Sequence, residues 1–73
     1  MITPKYKPGD SVLYEGVRCV VKHVGIYERE TPGEHVLYDL EADGSDVTGF
    51  DRSGEMIKKR RENELEDYQQ SFF

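Results

Sequence analysis

Cys19, His23 and His35 are the only thiol and imidazole groups in the sequence, so any soft-metal or cysteine-based chemistry must rest on them. A chelate needs ligands that converge on one ion. Cys19 and His23 lie four residues apart on one face of a valine-rich run, and strand rise separates their β-carbons by about 13 Å. They do not close a site, and no metal or cofactor is expected. A nucleophilic Cys19 needs a base and an oxyanion-stabilising turn. His35 is a candidate base across strands, but no third group accompanies it. A mid-strand cysteine followed by Val20-Val21 reads as an inert core residue. The carboxylates form no catalytic motif, and Gly44, Gly49 and Gly54 fall in polar turn sequence rather than in a phosphate-cradling loop. No catalytic residue is assigned, and the chain is read as a non-enzyme.

Binding chemistry is better represented. Lys58, Lys59, Arg60 and Arg61 form the one pronounced charge run, and Glu62, Glu64, Glu66 and Asp67 follow it and cancel its field locally. Such a run suits a salt-bridged solvated face, a protein-docking patch or, third, a nucleic-acid contact. Tyr27, Phe50 and Tyr68 sit in or near expected turns, where aromatic rings serve as interface anchors as well as core. Tyr14 and Tyr38 are assigned to the core or its rim. The candidate partner-binding residues are therefore Lys58, Lys59, Arg60, Arg61, Tyr27, Phe50 and Tyr68.

The elements that must position these residues are strands. Lys7-Pro8-Gly9-Asp10 is a corner, because Pro8 biases Lys7 away from the α region and Gly9 takes the turn. Residues 1–8 read as an extended lead-in. Val12 to Tyr14 is a first strand, Glu15-Gly16 a tight connection, and Arg18 to Val24 a second strand rich in β-branched residues. Neither alternating set of that second strand is purely apolar, so alternation leaves its inward face open. Gly25 is expected as a bulge from which Ile26-Tyr27 continue. After the polar loop Glu28 to Glu34, His35 to Leu40 alternates cleanly, with Val36, Tyr38 and Leu40 toward the core.

Residues 41–54 are turn-rich, with Val47 to Phe50 as a brief extended pairing. The last third has two readings. Residues 55–70 contain good helix formers, but Lys58 to Glu64 holds no apolar residue, which leaves a helix only a weak stripe. The rival reading makes Met56 to Arg61 a strand, Asn63 to Leu65 a helical turn and Glu66 to Tyr68 a closing strand. It is preferred because the sheet otherwise lacks a closing element.

Seventy-three residues, 36% apolar and without Trp, bound this to one domain with a thin core, expected over residues 1–68 with a flexible tail at 69–73. A lone cysteine fits a reducing cytoplasm, and no apolar run reaches the roughly 18 residues of a membrane span. A net charge of −5 repels nucleic acid at long range, which favours protein partners.

The series Lys7-Pro8-Gly9-Asp10, Val12, Tyr14, Gly16, then Val20-Val21 and Val24, Tyr38-Asp39-Leu40 and Glu64-Leu65-Glu66 resembles the SH3-like small-barrel proteins, the KOW-, Tudor- and CarD-type modules. The resemblance spans about residues 7–67 and specifies shape. It implies a mainly β fold, either a five-stranded barrel or a strongly bent antiparallel sheet, with a short helical turn or helix near the C-terminus. It also implies a cytoplasmic, monomeric, protein-binding module. A small acidic module of this kind looks like a phage-encoded regulator docking on host RNA polymerase to modulate transcription, through sheet-edge and loop contacts and the Lys58–Arg61 patch. The alternative is a nucleic-acid-binding barrel that uses the same patch. The segment 41–54 and the lack of a recognisable aromatic cage depart from the methyl-lysine readers.

Overall fold

The computed structural model describes residues 2–68, and the tail expected at 69–73 lies outside the described residues. Five strands follow one another along the chain: β1 Ser11–Tyr14, β2 Val17–Tyr27, β3 His35–Ala42, β4 Met56–Arg61 and β5 Leu65–Asp67, with a 3-10 turn at Glu62–Glu64 between the last two. They form one antiparallel sheet in the order β4-β3-β2-β1-β5. Among the described residues the segment from Met56 is strand and 3-10 turn, not α-helix. The turn and last strand begin one residue earlier than the sequence predicts.

Local chemistry explains the breaks. Gly9 takes a positive φ in the Pro8-Gly9 corner, and its N–H and the Asp10 carbonyl both pair with Val21, so the corner lies flat on β2. Glu15 and Gly16, both at positive φ, make the two-residue turn whose twist suits a β-hairpin.

Bulges decide which side chains face inward. Val17, Cys19 and Val21 point into the core, but the register between β2 and β3 shifts between Val21 and His23. The extra residue reverses the alternation, so Val24 and Ile26 pack inward beyond it while His23 turns out. This is why neither alternating set of β2 is apolar throughout. It also corrects two expectations: the bulge is at Lys22 rather than Gly25, and Cys19 and His23 lie on opposite faces.

The sheet is not closed into a barrel, since β4 and β5 remain its two edges. With no second layer among the described residues, it covers its inner face by curling on itself. Val12, Cys19, Tyr38 and Leu40 are fully buried there. Arg60 on β4 reaches across to the Tyr14 hydroxyl on β1 at 3.3 Å, and the lead-in lies over the core with Tyr6 edge-on to Tyr38 at 5.6 Å. No helix among the described residues is long and apolar enough to cross a membrane.

Candidate functional site

The four consecutive cations of β4 do not present one surface. Two residues of β4, Lys58 and Lys59, stand opposite the single Asp39 of β3, because the register shifts between Tyr38 and Leu40. Lys59 takes a φ of 60° there, a left-handed conformation costly for a residue with a β-carbon. Its N–H donates to the Asp39 carboxylate at 3.0 Å, and its ammonium donates to the Tyr27 hydroxyl at 2.5 Å. That hydroxyl raises the Lys59 pKa. Arg60 instead turns to the inner face, over the Tyr14 ring and 3.5 Å from Glu64. Lys58 and Arg61 remain exposed. The reason is geometric: side chains alternate between faces along a strand, and the bulge resets that alternation midway through the run.

Of the aromatic candidates, Tyr27 joins Lys59. Its ring stacks on His35 across the strand pair at 5.9 Å and folds back over Gly25, where an added β-carbon would lie 2.8 Å from it. An open pocket of about 250 Å³ adjoins this pair, lined among others by His35, Arg61 and Asn63 over Ile2 and Val36. Tyr68 sits after β5 with Arg18 over its ring at 5.8 Å.

Phe50 occupies a different place, the tip of a short hairpin closed by a bridge between Ser45 and Asp51. Val47 to Phe50 lie in its turn rather than pairing as extended chain. One side chain, Asp46, organises the turn: its Oδ1 accepts from the Thr48 hydroxyl at 2.6 Å and from the N–H groups of Thr48 at 2.9 Å and Phe50 at 3.1 Å. The Asp46 N–H donates to the Phe50 carbonyl at 2.8 Å, and the Gly49 N–H to the Asp46 carbonyl at 3.0 Å. The Thr48 hydroxyl, with these backbone donors behind it, holds the Asp46 carboxyl below its ordinary pKa. Asp51 accepts from the Ser53 N–H in the same way, and Arg52 pairs with Glu55 at the base. On this ordered frame Val47 is 82% exposed and Phe50 69% exposed. Asp46 carries the site's geometry, and the Asp-x-Thr pattern at 46–48 is the sequence signal for it.

Elsewhere the polar groups serve the fold. The buried Tyr38 hydroxyl donates to Glu62 at 2.6 Å and accepts the N–H groups of Lys5 and Tyr6. Tyr6 donates to Asp67 at 2.7 Å. Burial first, and then these carboxylates, push both phenols up to about 12. Cys19 is buried and its thiol is pushed up by that burial, which keeps it un-ionised. No three His, Cys, Asp or Glu side chains among the described residues are grouped to hold a metal ion. No family model, curated protein or solved structure matches the chain.

Proposed function

We propose that this chain is a non-enzymatic protein-binding module that docks through the 45–51 hairpin tip, with Phe50 as its anchor. The observation that carries the reading is an apolar ring held 69% exposed on a turn fixed by the Asp46 hydrogen bonds. Loose tips lose entropy on binding, whereas an ordered one has little left to lose, so an exposed aromatic there is suited to filling a partner's pocket. Asp46 and Asp51 flank the ring as carboxylates, which favours an apolar socket with a basic rim.

A four-stranded meander followed by a 3-10 turn and a fifth strand that pairs with β1 supports the resemblance to SH3-like modules, at the level of fold analogy. From that resemblance, host RNA polymerase is the first partner to test and a phage-type regulator the first setting. The Tyr27–His35 stack beside Lys59 favours a second reading, a nucleic-acid contact in which bases stack on the rings.

The experiment is capture from bacterial lysate on immobilised protein, with and without nuclease, using wild type and Phe50→Ala. Nuclease-resistant recovery of RNA polymerase subunits by wild type, lost with Phe50→Ala, is the expected result. Equal recovery by both proteins removes the tip from the interface, and recovery abolished by nuclease transfers the reading to nucleic acid.

A further inference from the structure

An open sheet has two edges, and each edge strand carries backbone donors and acceptors that another chain can use. Here β5 is only three residues long, but β4 has six and lies at the other end of the sheet. A free strand of that length is a template for pairing, most readily with the same strand of a second copy.

Three features close this edge. The bulge at Lys58 and Lys59 interrupts the regular spacing that an added strand would need. The molecule's own side chains engage backbone groups along it: Arg60 Nε donates to the Lys58 carbonyl at 3.2 Å, and the Arg61 N–H donates to Glu64 at 2.7 Å. Finally, Lys58 and Arg61 stand exposed on the strand, so pairing of two β4 edges would set cation against cation. Like charges facing each other across a strand pair are destabilising.

We propose that the Lys58–Arg61 segment is an edge guard, whose bulge, capped backbone and exposed cations bar β4 from pairing with the β4 of a second copy of this chain. The guard works by repulsion between identical charges, so its sign is immaterial. A docking patch for an acidic or nucleic-acid partner, by contrast, requires positive charge.

The test compares wild type with Lys58→Thr/Arg61→Thr and Lys58→Glu/Arg61→Glu by sedimentation velocity over a concentration series. The neutral variant replaces both cations with a good strand former. Its self-association is expected to strengthen roughly tenfold from the lost cross-strand repulsion. This should occur although its formal net charge moves from −5 to −7, further from neutrality. Wild type and the charge-reversed variant are expected to stay monomeric together. A neutral variant as monomeric as wild type overturns the proposal, as does a charge-reversed variant that associates like the neutral one. Circular dichroism melts check that each variant is folded. If the neutral one is not, wild type in about 1 M salt, where screening shortens to roughly 3 Å, takes its place. Wild type should then associate more strongly than at low salt, and no change overturns the guard.

Discussion

Raising the pH from 9 to 12 should strongly destabilise this protein through two phenols. Tyr6 and Tyr38 are buried, 8% and 0% exposed, and each is hydrogen-bonded to a carboxylate, so both hold their protons to about pH 12 instead of 10.0. Below pH 10 each phenol is protonated in the folded and the unfolded chain, and the stability it contributes is fully present. Between pH 10 and 12 the unfolded chain releases both protons while the folded chain keeps them, so rising pH draws the equilibrium toward unfolding. A shift of two pH units at about 1.4 kcal/mol each gives roughly 3 kcal/mol per phenol, or about 6 kcal/mol for the pair. At roughly 0.05–0.15 kcal/mol per residue, a chain of this length has about 4–11 kcal/mol in total. The two phenols therefore remove about half of the stability or more.

The assay is urea unfolding at half-unit steps of pH, followed by circular dichroism, with tyrosinate absorbance recorded alongside. Lysine deprotonation falls in the same range, so Tyr6→Phe/Tyr38→Phe serves as the reference: it starts less stable but lacks the two titrating groups. The wild-type midpoint should fall between pH 10 and 12 much more steeply than that of the double variant. Parallel profiles for the two proteins, or a tyrosinate absorbance curve unchanged by Tyr6→Phe/Tyr38→Phe between pH 11 and 12 while the fold persists, would show that these two phenols do not titrate late.

Lys59→Gly should leave stability unchanged or raise it by up to about 1 kcal/mol, because the left-handed φ costs about 1–2 kcal/mol with a β-carbon and glycine returns part of that as chain entropy. Lys59→Val should lower the urea midpoint clearly, and equal midpoints for the two would remove backbone strain from the account. Gly16→Ala should cost about 1–2 kcal/mol, since Gly16 has a φ of 81° and an added β-carbon would stand 2.7 Å from Val47 Cγ1. Thermal melting measures it, and amide shifts at Val47 should report the displaced tip. Cys19 should resist thiol reagents in the native protein and react only as urea unfolds it, so fast labelling of the folded chain contradicts its burial.

The first three strands and their breaks are legible in the sequence alone, whereas residues 55–70 admit both a helix and a strand. Pro8-Gly9, Glu15-Gly16 and the Gly- and Asp-rich stretch after Ala42 state their turns locally, and β-branched runs between them state extended chain. The inward set Val36, Tyr38 and Leu40 was legible because nothing interrupts alternation in β3. The facing of β2 and β4, and the strand identity of the last third, come from the pairing of strands in three dimensions. Each bulge is a mismatch between two strands distant in sequence, visible to neither alone, and one extra residue sends every later side chain to the opposite face. For that reason Cys19 parts from His23, and the cations at 58–61 divide between Tyr27, Tyr14 and solvent. The Tyr6, Tyr38, Glu62 and Asp67 contacts likewise join the lead-in to the last turn and strand. Such pairings exist once the sheet has curled, because curling is what brings the two ends of the chain within hydrogen-bonding reach.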